Sequence, residues 1–198
     1  MYVALGLKVR TGRAAVVAVA GPAKTSRIVG KTRIDVAVSF EEGAVFHACQ
    51  ELPSDKARER IESSRRIFTK RAEEGLAAFV AELSLKVRAV GMGVKAIKPL
   101  PPLESILKSH PLVHAAEIDL YRSVFGDACS AVGTRPAMYP VDALTKRIAA
   151  ALAWTTARVA VHLAAMGKAS GRPWAAEQKE AALAAWLALA ASETARDR

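Results

Sequence analysis

The sequence predicts an α/β fold: a three-stranded antiparallel meander, then βα units, closing a mixed five-stranded sheet with helices on both faces. Three observations predict it. The first 38 residues hold three apolar runs joined by short turns. Two later apolar runs, at 94–100 and 136–141, each follow a helical stretch. From about residue 142 onward the pattern is helical throughout.

Residues 2–8 and 13–20 read as strands joined by Arg10-Thr11-Gly12-Arg13, where Gly12 supplies the positive φ of a tight hairpin. Gly21-Pro22 turns the chain again, and Arg27–Val38 alternates apolar residues at Ile28, Ile34, Val36 and Val38. Residues 41–53 lack a period. Pro53-Ser54-Asp55 reads as a helix start with Ser54 as its N-cap. Ile61, Phe68, Ala72, Leu76, Phe79, Leu83 and Val87 then share one helical face, which Gly91-Met92-Gly93 is expected to end. Val94–Leu100 follows as the expected fourth strand, and Leu103–Lys108 as a helical turn. A helix from Ser109 to about Ala131 has proline in its first turn. Pro136–Val141 is the fifth strand, and 142–152, 156–166 and 175–191 are closing helices. The small residues at 181, 182, 184 and 185 suit close packing on a sheet.

The 198 residues fit one domain, 1–198, with a helical C-terminal part from about residue 142. A content of 52% hydrophobic and 24% charged residues is that of a globular chain. The net charge of +10 suits an anionic partner such as nucleic acid or a nucleotide. Aromatic residues, at 6%, are too few for an extended base-stacking platform. Cys49 and Cys129 stand alone, without zinc-ribbon spacing, and read as reduced thiols. The apolar stretch 181–191 is short for a membrane span, so the cytoplasm is the expected location and no membrane the expectation for partners.

The densest chemistry lies in Ser109-His110-Pro111-Leu-Val-His114-Ala-Ala-Glu117-Ile-Asp-Leu-Tyr121-Arg122. Spacings of four, three and four put His110, His114, Glu117 and Tyr121 along one side of a helix. Imidazole and carboxylate suit a divalent transition metal, or acid–base chemistry near neutral pH. His47 is the natural third imidazole, so the expected metal ligands are His47, His114 and Glu117, with His110 a further catalytic candidate. Pro111 is expected to hold His110 at the helix cap rather than on the face. Gly30-Lys31-Thr32 ends like a phosphate-binding loop but has Thr25 where that loop needs glycine, and lies in a strand.

Leu5-Gly6-Leu7-Lys8 through Gly12 into Ala14 resembles the first hairpin of RuvC-type Holliday junction resolvases, of the ribonuclease H-like class. The closing run Glu177-Gln-Lys-Glu180-Ala-Ala-Leu-Ala is similar to that family's last helix. The resemblance implies a ribonuclease H-like fold and a nucleic-acid partner. It also implies a two-metal site whose first Asp is Lys8 here and whose second acid has no counterpart in 94–100. Glu177 or Glu180 would match the final acids. A cation cannot ligate Mg²⁺, so the standard two-metal nuclease mechanism lacks its ligands. The segments around His110–Arg122 and Gly171–Trp186 also resemble a group of bacterial proteins with no assigned activity.

These readings point first to a ribonuclease H-like protein that binds or processes nucleic acid through a basic, non-standard site, with Lys8, Arg10 and Arg122 on phosphate. An alternative is a metal- or histidine-dependent enzyme or binder of a small anionic ligand. A third is a scaffold subunit without chemistry.

Overall fold

A computed structural model describes residues 2–96 and 98–194. Five strands form one sheet: β1 (Tyr2–Arg10), β2 (Arg13–Ala20), β3 (Arg27–Asp35), β4 (Lys86–Val94) and β5 (Pro136–Pro140). Their order is β3-β2-β1-β4-β5. The meander is antiparallel, and β4 and β5 add in parallel on the other side of β1. The helices are α1 (Phe40–Gly43), α2 (Ser54–Leu83), α3 (Leu103–Leu107), α4 (His110–Ala128), α5 (Leu144–Leu152), α6 (Thr156–Ser170) and α7 (Ala176–Thr194).

Alternation along β1 divides the core between the two faces. Val3, Leu5, Leu7 and Val9 pack with α2 and α4 around Phe68, Leu76, Tyr121 and Phe125. Ala4, with Val17 and Val19 of β2, lies on the opposite face under α5, α6 and α7, around Ile148, Val159 and Trp186. The Trp186 indole is fully buried and donates to Ala23 O at 2.8 Å.

Lys8 shares the second face with Gly6, two residues away. The strand glycines explain how α7 sits there. A Cβ at Gly6 would lie 1.8 Å from Ala181 O, and one at Gly91 would lie 2.3 Å from Ala184 O. Helix backbone rests directly on strand backbone, and Ala181, Ala182, Ala184 and Ala185 are fully buried.

Four boundaries differ from the sequence expectation. The helix ends at Leu83, with Ser84 left-handed at φ 53°, and Gly91-Met92-Gly93 lies inside β4 rather than at a helix stop. Of the expected strand 94–100 only Val94 belongs to β4, and position 97 lies outside the described residues. The glycines leave room for α7, whereas Pro99, Pro101 and Pro102 have no N–H to give a ladder. At the start of α2 the cap is Pro53, not Ser54. The third strand stops at Asp35, and the two-residue turn Thr11-Gly12 joins β1 to β2 with Gly12 at φ 74°. Lys31 of the rejected phosphate-loop match sits in β3 and donates to Pro173 O at 3.0 Å.

Candidate functional sites on the two faces of the sheet

Period-two alternation in β1 points Lys8 toward the N-terminal part of α7, at its second turn. Lys8 Nζ donates to Glu180 Oε1 at 2.7 Å, with side-chain exposures of only 11% and 17%. Gly93 of β4 floors this pair, since a Cβ there would lie 2.8 Å from Glu180 Oε1. One turn earlier, Glu177 Oε1 accepts from Arg13 at 3.0 Å and from Arg10 at 3.2 Å. The Arg13 Nε is buried and has no hydrogen-bond partner among the described residues. This donor set does not suit a pair of hard dications: both carboxylates already face cations, and β4 (Lys86–Val94) carries no acid.

Arg122, on α4, feels Asp119 and Glu180. Burial pushes its guanidinium down more than those carboxylates raise it. It lines an open cleft of about 840 Å³ that runs between the end of β4 and the start of β5, with Lys95, Ser123, Asp127 and Arg135. Asp127 is taken by Arg65 at 2.9 Å. Arg122, Lys95 and Arg135 form no ion pair among the described residues.

The histidines gather on the other face. Ser109 caps α4 and His110 is its first residue, so Pro111 does not hold His110 off the helix. His110 Nε2 and His114 Nε2 are 3.0 Å apart. His47, in a 3₁₀ turn at His47–Cys49, brings its ring within 4.8 Å of the His114 ring and 5.2 Å of the His110 ring, centroid to centroid. One ligand nitrogen from each of the three lies within 4.8 Å of the others, so the cluster could hold a metal. Glu117 is 2% exposed, and its Oε1 is 2.9 Å from His47 Nδ1 and 3.4 Å from His47 N. A carboxylate is acceptor-only, so in the neutral imidazole the proton sits on Nδ1 and Nε2 is the nitrogen left to ligate. Glu117 thus hydrogen-bonds His47 and, among the described residues, neither His110 nor His114.

Tyr121, from the same helix side, leaves the cluster: its hydroxyl donates to Gly43 O at 2.7 Å, and burial pushes its pKa well up. The structure thus brings His47, His110, His114 and Glu117 together. It places Lys8 with Glu180 on the face of the sheet opposite α4, and Arg10 with Glu177. The Lys8–Glu180 pairing spans 172 positions, and no local pattern signals it.

No protein-family model matches the chain, and no curated protein matches it. Solved structures do match across nearly its whole length. One is the T. thermophilus RuvC in complex with a Holliday junction substrate, at a TM-score of 0.60 and 12% identity, covering 98% of this chain and 97% of that one. Another is the Thermus thermophilus RuvC structure, at a TM-score of 0.58 and 14% identity, covering 98% and 96%. The fold is ribonuclease H-like. At these identities the likeness is one of fold. The ribonuclease H-like sheet here carries its Lys8–Glu180 pair on central strand β1, and the histidine cluster stands apart from it. No single helix among the described residues is long and apolar enough to cross a membrane.

Proposed function

We propose that this chain is a diverged ribonuclease H-like protein that binds nucleic acid without two-metal cleavage at the centre of its sheet. The observation that carries this is the Lys8–Glu180 ion pair, 2.7 Å long and mostly dry. Lys8 supplies a fixed positive charge where the resemblance implies a metal-bound Asp. Glu180 is neutralised by that charge rather than by a dication. The cleft cations Lys95, Arg122 and Arg135 supply the phosphate contacts, and the net charge of +10 supplies long-range attraction. The RuvC neighbour in complex with a Holliday junction substrate makes branched DNA the first ligand to try. On this reading residues 1–198 act as one domain.

The test is fluorescence anisotropy with labelled four-way junction, duplex, single-stranded DNA and RNA over a salt series. Binding that weakens steeply with salt is expected, with no Mg²⁺-dependent strand scission. Absence of binding at low salt would remove the reading.

A second reading rests on a separate observation, the convergence of His47, His110 and His114. It makes the cluster a divalent-metal centre that acts on an anionic ligand, and it requires nothing of the Lys8 face.

A further inference from the structure

We infer that His47, His110 and His114 form a three-histidine site for a zinc-class ion, with Glu117 as an outer brace and one coordination position open to solvent. This rests on the second reading above and goes further: it fixes the ligand set, the class of metal and the role of the carboxylate.

The ligand set follows from geometry. A tetrahedral ion bound at about 2.0–2.1 Å holds its nitrogen ligands about 3.3 Å apart. His110 and His114 already place their Nε2 atoms 3.0 Å apart, from positions i and i+4 of one helix. His47 reaches them from another segment, and all three ligand nitrogens lie within 4.8 Å of one another. Small ring rotations close the remainder, since His110 and His114 are exposed.

The class of metal follows from the donors. Three imidazoles suit Zn²⁺, Co²⁺ or Ni²⁺, whereas Mg²⁺ and Ca²⁺ require oxygen. Glu117 has the position of a brace. It is buried, and it grips both the Nδ1 and the backbone N–H of His47. That holds the ring by its Nδ1 side and leaves Nε2 as its ligand atom, as a carboxylate does behind a metal-binding histidine. Its negative charge also offsets part of the ion's charge. Three protein ligands leave a fourth position, and the exposure of His110 and His114 turns it to water. Such an open position is the arrangement of reactive rather than purely structural zinc sites.

The experiment uses full-length protein without a polyhistidine tag, stripped with chelator and titrated with ZnCl₂, CoCl₂ and MgCl₂ by calorimetry. Metal content and the visible spectrum of the Co²⁺ form are read in parallel. The expected result is one Zn²⁺ per chain, tetrahedral Co²⁺ absorption and no Mg²⁺ uptake. H47A, H110A and H114A each lose the site. E117Q weakens it by about 10- to 100-fold with the thermal melt of the metal-free protein retained. H162A, which removes the one histidine outside the cluster, keeps full stoichiometry. Failure to take up Zn²⁺, or uptake unchanged in H110A or H47A, would overturn the site. Hydrolysis of a phosphate ester by the Zn²⁺ form tests the underlying catalytic reading separately: a loaded but inert protein sustains the site and ends that reading.

Discussion

Lys8 and Glu180 depend on each other because little water reaches either. Removing the cation leaves a nearly dry carboxylate without its partner, which costs more than the pair contributes. K8M should lower stability by about 2–4 kcal/mol in urea melts, and K8M/E180L should recover most of that. Losses that simply add would show that the two do not interact. The thiols are more deeply buried still. Burial pushes Cys129 up to about 12 and raises Cys49, so neither should react with iodoacetamide at pH 8 until the chain unfolds. Glu42 carries a pH dependence of known sign. Its carboxylate accepts from Val38 N at 2.6 Å and from Arg71 at 2.8 Å, and the Val38 bond chiefly holds its pKa below the ordinary value. A carboxyl depressed by folding adds stability above its unfolded pKa and loses it as pH falls through the folded one. E42Q should therefore cost about 1 kcal/mol at pH 7, and the difference should shrink as pH falls below the ordinary carboxylate range.

At the scale of elements, α7 is positioned by glycines in the strands beneath it. G6A or G91A drives a methyl into helix backbone, not into a flexible side chain. Each should cost about 3 kcal/mol or more, at the upper end for overpacking. Each should also loosen the Lys8–Glu180 pair, because Glu180 rides on the same helix. Chemical denaturation of the two variants checks this, and near-neutral values would show that α7 is free to shift. The same glycines explain a misplaced boundary. Leu83 and Val87 continue the helical period of the preceding run, so Gly91-Met92-Gly93 reads locally as a helix stop. Only the approach of α7 from more than eighty residues away makes those glycines a strand requirement. The meander was legible because its turns are local, as Gly12 shows. That His114 and Glu117 share a helix side was legible because helical spacing is local too, whereas Pro111 misdirected the reading of His110, which is the first residue of α4. The distinct roles of Glu117 and Tyr121 were not legible, since they depend on His47 and Gly43, which approach through tertiary packing.

At the scale of the molecule, one sheet separates two chemistries. One face carries an internal ion pair under α7, and the other carries a histidine cluster at the start of α4. The cleft cations are spread from the end of β4 across α4 to the start of β5 and line the cleft open to an anionic partner. Each phosphate contact on duplex DNA contributes about 0.9 to the slope of log K against log salt. The most direct measurement is that slope for a labelled four-way junction, for the natural chain and for K95A/R122A/R135A. The natural chain should bind at low salt with a steep negative slope, and the triple variant should bind more weakly with a slope shallower by about 2–3. Equal slopes, or no binding at low salt by the natural chain, would contradict a nucleic-acid-binding role for this fold.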